Sequence, residues 1–295
     1  MLDAYVVEVL RCRTINEINR LHIRLEVSMT AADICAIIDG ARARRAPLPP
    51  PSLHWLDRMD TLLRGGGRPV QGYVREAWSR GINWYAAPGD AAARAGRRLV
   101  IAFTADTHRL LMPISLFLQH CPADRLEFLV LMDLHRAFYL KGVDSLGTDL
   151  PTTIAAIAAR FPPAKLRRAV CIGTSAGGLA AVWAAVELGA ARAISVGGVT
   201  PQLVREQERM RGVDVAGFEA AIRRREGRLP EVLLVSGDGY EPDQAKARAM
   251  QELLPAAHIV VPESSQHNAL FDAWNTGRLD GLMERFFGDP PPATP

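Results

Sequence analysis

Apolar residues recur along most of the chain in short blocks, and the way they are spaced changes once. From about residue 80 onward the blocks are apolar almost throughout: "INWYA" (82–86), "RLVIAF" (98–103), "LEFLVLM" (126–132), "RAVCI" (168–172), "RAISV" (192–196), "EVLLVS" (231–236) and "HIVV" (258–261). Segments of helical length separate most of them. One starts at Pro113, and another follows Asp149 with a proline in its first turn. Strands that are apolar on both faces and alternate with helices predict an α/β fold, a mostly parallel central sheet with helices on both faces.

The first part of the chain has a different pattern. In "LHIRLEVSM" (21–29), Leu21, Ile23, Leu25, Val27 and Met29 alternate with His22, Arg24, Glu26 and Ser28, a period of two that predicts a half-buried strand. "YVVEVL" (5–10) is its candidate partner. Thr30 followed by Asp33 resembles a capping box, so a helix is expected to run to about Arg44. "APLPPPS" (46–52) breaks the chain. Ser52 then reads as the N-cap of a second helix with Leu53, Leu56, Met59 and Leu63 on one face, ended by "GGG" at 65–67. Residues 1–67 are thus expected to form a small N-terminal α+β accessory module. Packing onto the main domain and forming a homodimer are both open roles for it. No internal repeat is visible, and "GDPPPATP" (288–295) reads as a disordered tail.

Composition narrows the class. The chain has 295 residues, enough for one large domain and a small accessory piece. With 48% apolar and 23% charged residues it reads as a soluble globular protein. A formal charge of +3, with arginines mostly interleaved among acids, gives no reason to expect a nucleic-acid partner. One denser run, Arg223, Arg224, Arg225 and Arg228, reads as a solvated helix face or, less simply, a phosphate-binding patch. Cys12, Cys35, Cys121 and Cys171 have neither metal-ligand nor redox-motif spacing, so no metal or cofactor is expected and a cytoplasmic location with reduced thiols is. Cys171 sits inside an apolar run and reads as a buried small hydrophobe. The N-terminus lacks the features of a secretory signal. The weakly charged stretch 169–198 contains Glu187, Arg192 and several turn glycines, so it reads as strand, helix and strand and not as a membrane span.

The chemistry concentrates in "CIGTSAGGLAAVW" (171–183). An apolar strand runs into Gly173-Thr174-Ser175-Ala176-Gly177-Gly178 and directly on into a helix. This G-x-S-x-G sequence in a strand–turn–helix context is the pattern of a nucleophile elbow. In such an elbow the serine hydroxyl stands at the carboxyl edge of the sheet. The flanking glycines are needed because strand and helix nearly touch. The N–H of Ala176 lies at a helix N-terminus, where partial positive charge favours an oxyanion. A dinucleotide loop needs G-x-G-x-x-G, and a Walker loop needs a Gly-Lys pair; neither is present here. A purely structural glycine turn is the plainer alternative.

Over about residues 80–287 the chain resembles the α/β-hydrolase superfamily, in the elbow and in the succession of strands and helices. The resemblance implies a carboxylate on the loop after the penultimate strand and a histidine on the loop after the last one. Asp238 in "VSGDGYEPD" is the preferred acid, with Asp243, which also reads as a helix N-cap, as its alternative; Asp133, at the end of "FLVLM", is a further one. His267 in "SSQHNAL" is the matching histidine, while His108 and His135 lie on earlier loops. The second oxyanion donor would come from "FTAD" (103–106), through the N–H of Ala105 or Thr104, where family members commonly carry His-Gly. Asp106 would disfavour an anion there unless it points away or pairs with Arg109. A small helical lid is expected at 200–230. These residues imply a serine hydrolase (esterase, thioesterase or acyltransferase) acting on a small-molecule acyl substrate. The alternative is a non-catalytic scaffold or binding protein of the same fold.

Overall fold

The computed structural model describes residues 1–207, 210, 215–225 and 227–288. Eight strands make one sheet: β1 (Val74–Ser79), β2 (Ile82–Ala86), β3 (Arg98–Phe103), β4 (Leu126–Leu131), β5 (Val170–Thr174), β6 (Arg192–Val196), β7 (Glu231–Gly237) and β8 (Ala257–Val261). Their spatial order is β1-β2-β4-β3-β5-β6-β7-β8. The β1–β2 and β2–β4 pairs are antiparallel, and every other pair is parallel. The seven expected strands are all present. The additional one, β1, is a largely exposed edge strand. With one neighbour and little cover, it has no need of the apolar run that marks the others.

The continuous apolar strands follow from cover on both faces. In β3, Leu99, Ile101 and Phe103 enter the core on one side of the sheet, and Val100 and Ala102 enter the core on the other. Beyond β3 the chain turns to one side for β4, then crosses back to β5 and continues outward through β8. The carboxyl ends of β3 and β5 therefore flank the point where the winding direction reverses, which is where open α/β sheets hold their ligands.

The N-terminal region departs from expectation. It consists of four helices, α1 (Leu2–Arg11), α2 (Ile15–Ser28), α3 (Ala31–Arg44) and α4 (Pro50–Arg64). The strands expected at 5–10 and 21–29 are both helical, so the module is not α+β. In α2 the buried residues are Ile18, Leu21, His22 and Glu26, a spacing of three and four, while Ile23 is 45% exposed. The capping box that starts this helix, Thr14 with Glu17, is legible in the sequence and competes with the period-two alternation. In α1, Tyr5 and Val9 are buried four residues apart while Val7 faces outward. The helix expected to end at Arg44 is present as α3. Ser52 is not an N-cap: α4 starts earlier, after Pro49, and Ser52 is buried within it.

These helices do not form a core of their own. Ile34, Ile37, Ile38, Trp55 and Met59 share one apolar layer with Val100, Phe128 and the helix Ile114–Gln119. At roughly 1.5–3 kcal/mol for each large side chain buried, this layer fixes α3 and α4 against the same sheet that carries the serine turn. Among the described residues of the expected lid there are two short helices, Pro201–Glu206 and Ala216–Arg224; residues 208–209, 211–214 and 226 of it lie outside the described residues. Of the expected tail, all but Gly288 lies outside the described residues. No helix among the described residues is long and apolar enough to cross a membrane.

Candidate active site

β5 ends at Thr174, and Ser175 takes a left-handed conformation with φ of 51°. A side chain is strained in that region. The turn then passes straight into the helix Gly178–Leu188. The glycines are demanded by contact. A Cβ on Gly173 would stand 2.0 Å from the Gly177 carbonyl oxygen, and one on Gly177 would stand 2.3 Å from that of Phe103. Strand, turn and helix therefore touch backbone to backbone, and the strained residue between them is a half-buried serine. Cys171, near the start of β5, is fully buried as a small hydrophobe.

Two loops from elsewhere in the sheet meet that serine. His267 lies between β8 and the helix Ala269–Asn275, and its Nε2 is 2.8 Å from Ser175 Oγ. Its Nδ1 is 2.6 Å from Asp243 Oδ2. An ionised carboxylate only accepts, so Nδ1 carries the proton, Nε2 is bare, and the Ser175 hydroxyl donates to it. Asp243 sits in the first turn of the helix Glu241–Gln251, whose N-cap is Tyr240, so it is not the cap residue itself. Its other oxygen accepts from Lys246 Nζ at 2.8 Å. Burial opposes ionisation of Asp243 and is the largest single influence. The hydrogen bonds from His267 and Lys246, with their charges, together outweigh it and hold the carboxyl below its ordinary value.

Asp238, the acid preferred from the sequence, does not reach His267. It is exposed, and its carboxylate accepts from the backbone N–H groups of Glu263 and Ser264, both at 3.0 Å. Those two bonds lower its pKa and tie the β7 loop to the β8 loop. Asp133 is also occupied elsewhere: it accepts from the N–H groups of His135, Ala137 and Tyr139 and builds the turn after β4. His108 Nε2 lies 3.4 Å from the Asp133 carbonyl, and His135 pairs with Asp144. Neither of these imidazoles meets Ser175.

The expected oxyanion donors divide. Ala176 follows the serine at the helix N-terminus, as the elbow pattern requires. The N–H of Thr104 instead donates to Leu131, continuing the β3–β4 ladder, and its hydroxyl donates to the same carbonyl. The N–H of Ala105 donates to the Arg109 carbonyl at 2.9 Å, closing a turn. That turn contains His108 at φ 59° and leads to Leu111 at φ 58°, both strained, and Thr174 Oγ1 donates to the same Arg109 carbonyl at 3.3 Å. The side chain of Arg109 hydrogen-bonds Glu26 of α2.

Gly197, just after β6, has no counterpart among the sequence-based candidates. Its φ is 56°, and a Cβ there would lie 2.6 Å from Asp243 Oδ2 and 2.8 Å from His267 Cε1. The signal was present as the pair "GG" directly after an apolar strand (197–198). Lys246 carried no signal, because a lysine on a helix face is ordinary. A cavity of about 360 Å³ opens beside His267, lined among others by Arg58, Arg109, Leu111, Met112 and Phe271. A larger one of about 550 Å³ lies beside Arg98 and Leu126, where β3 and β4 begin, at the opposite end of the sheet from Ser175. The arginine run at 223–225 is likewise remote: Arg224 and Arg225 bind Glu187, at the far end of the helix that Ser175 precedes. Among the described residues no cluster of His, Cys, Asp and Glu is arranged to hold a metal ion.

An eight-stranded, mostly parallel sheet with a strained serine turn after β5 defines an α/β-hydrolase fold. Esterase B from Lactobacillus Rhamnosis superposes with a TM-score of 0.50 at 14% identity, over 86% of this chain and 93% of that one. Dienelactone hydrolase from Anabaena variabilis is similar at 17% identity, over 74% and 98% of the two chains, with a TM-score of 0.47. The capsule O-acetyltransferase of Neisseria meningitidis serogroup A is similar at 11% identity, over 76% and 98%, with a TM-score of 0.49. No protein-family model and no curated protein matches the chain.

Proposed function

We propose that the protein is a serine hydrolase that cleaves an ester or thioester through an acyl-enzyme on Ser175. The observation that carries this reading is the continuous chain from the Ser175 hydroxyl through His267 to Asp243, at 2.8 and 2.6 Å. A free serine hydroxyl is too weak an acid to attack a carbonyl. Nε2 of His267 takes its proton as the Oγ–carbon bond forms, and returns it to the leaving oxygen or sulfur as that bond breaks. Asp243 holds Nδ1–H, fixes the tautomer and stabilises the imidazolium. Lys246 keeps this carboxylate ionised. The N–H of Ala176 donates to the developing oxyanion. Water then attacks the acyl-enzyme with His267 again as base; an alcohol or amine in its place would make the protein an acyltransferase.

One observation favours a second reading, a non-catalytic scaffold. The N–H groups of Thr104 and Ala105 are both engaged with carbonyls. A second oxyanion donor from Ala105 requires its bond to Arg109 to open, within a turn that already carries backbone strain.

A fluorophosphonate probe separates the two readings. Labelling of the wild type that is lost in both Ser175→Ala and His267→Ala, together with a fall in kcat of about 10⁵-fold or more for p-nitrophenyl ester hydrolysis, is the expected result. Unlabelled wild-type protein would leave the scaffold.

A further inference from the structure

The cavity beside His267 combines two arginines with an apolar wall, and the arginines come from different parts of the fold. Arg109 follows β3, in the loop that abuts Thr174 and hence the serine turn. Arg58 comes from α4 of the N-terminal region. Leu111, Met112 and Phe271 supply the apolar surface. The two cations differ in how they are held. Arg109 is fixed through Nη2 by the buried carboxylate of Glu26, which is itself held by Trp55 Nε1 at 3.0 Å. Its Nε is buried and has no hydrogen-bond partner among the described residues. A buried N–H left without an acceptor is disfavoured, so this guanidinium keeps a hydrogen-bonding demand that Glu26 does not meet. Arg58 is exposed, and no carboxylate among the described residues pairs with it, although Asp57 and Asp60 on the same helix both pair with Arg42. Glu26 offsets one of the two guanidinium charges, so the arginine pair keeps a net charge of about +1 beside an apolar wall.

We propose that this cavity is an anion subsite that selects acyl substrates bearing a carboxylate on a short chain. The proposal rests on the hydrolase reading and specifies its substrate class. A guanidinium matches a carboxylate in plane and charge. A cavity of about 360 Å³ is at the small end of ligand sites. It takes a short chain, whose methylenes meet Leu111, Met112 and Phe271 while the carboxylate reaches the guanidinium groups of Arg58 and Arg109. The inference also gives the N-terminal helices a role: α4 contributes one binding residue, and α2, through Glu26, fixes the other. Arg224 and Arg225 are remote from the serine, whereas Arg58 and Arg109 line the cavity beside His267.

Two matched substrate pairs test the proposal. On the acyl arm, p-nitrophenyl hydrogen glutarate is compared with p-nitrophenyl valerate. On the leaving arm, the butyryl thioester of mercaptopropionate is compared with that of propanethiol. In one pair kcat/KM should favour the anionic member by about tenfold or more, and that pair identifies the arm the subsite binds. Arg58→Gln should reduce the preference about tenfold, chiefly by raising KM for the anionic member. Arg58→Lys should restore part of it, added salt should weaken it, and Arg223→Gln should leave it as it is. Ser175-dependent turnover with no anionic preference in either pair, or a preference unchanged in Arg58→Gln, overturns the subsite and leaves the hydrolase reading standing. No turnover of any of the four substrates and no probe labelling overturns both.

Discussion

Two histidines in this molecule lie in settings built from similar parts. His22, in α2, has a hydroxyl at 3.2 Å from its Nε2, that of Tyr5, and a buried carboxylate one helical turn away, that of Glu26. His267 has the Ser175 hydroxyl at 2.8 Å and the Asp243 carboxylate at 2.6 Å. What differs is where the carboxylate is directed. Glu26 is taken up by Trp55 and Arg109, so His22 stacks against Trp55 at 4.4 Å between ring centroids and behaves as a buried ring. Asp243 faces the imidazole, while Lys246 satisfies its other oxygen. Burial alone pushes the His22 pKa down to about 4. A hydroxyl, an imidazole and a carboxylate close together are therefore not yet a relay. The carboxylate must be bonded to the ring nitrogen opposite the hydroxyl.

After loss of the serine or the histidine itself, the largest effect expected from breaking this arrangement is at the carboxylate. Asp243→Asn should lower kcat by about 10⁴-fold, because an amide no longer fixes the tautomer, whereas Asp238→Asn should leave kcat within about threefold. Steady-state hydrolysis of a p-nitrophenyl ester checks both. Equal losses in the two variants would show that the Asp243–His267 bond has no special part in turnover.

A smaller change acts on the same contact from behind. In Gly197→Ala, the new methyl group would press on Asp243 and His267 at a backbone angle that resists it. A loss of about 10²-fold in kcat is expected, the scale of an ångström-sized misplacement, with the fold retained by circular dichroism. Full activity in this variant would mean that the pair does not need its close packing.

The other histidine should be visible in stability. The folded-state pKa of His22 is lowered, so between about 4 and 6.5 the unfolded chain binds the proton that the folded one refuses. Its contribution to stability is complete above pH 6.5 and is lost as pH falls toward 4, by about 3 kcal/mol in all. Urea unfolding of His22→Phe across that interval should show a correspondingly shallower decline than wild type, with kcat at pH 7.5 nearly unchanged. Identical pH slopes would show that His22 is not buried as a neutral ring.

The difference between what could and could not be read traces to range. The strands from β2 to β7 were legible because cover on both faces forces unbroken apolar runs, which few other structures require. The serine turn was legible because its three glycines form a compact pattern, "G-T-S-A-G-G", between a strand and a helix, although only Gly173 answers a contact within that unit, while Gly177 and Gly178 make room for Phe103 and Gly198. The N-terminal helices were misread where local signals conflicted: in "LHIRLEVSM" an alternation of period two overlies a spacing of three and four, and only packing against the rest of the core selects between them. Among the acids, Asp238 and Asp243 stand five residues apart on one loop and helix start, and both are chemically suitable. Choosing between them depends on which one the β8 loop and Gly197 leave room for.

The sequence by itself determined the sheet and the serine turn between β5 and the helix after it, because periodicity, glycine placement and strand succession are properties of contiguous residues. Only the tertiary structure decided which carboxylate meets His267, that the N–H groups of Thr104 and Ala105 are already bonded, and that Arg58 and Glu26 of the N-terminal helices come to the edge where Ser175 stands. Those outcomes are distances between segments up to some 200 residues apart, and they are fixed by the packing of two apolar layers on one sheet, a property of no single segment.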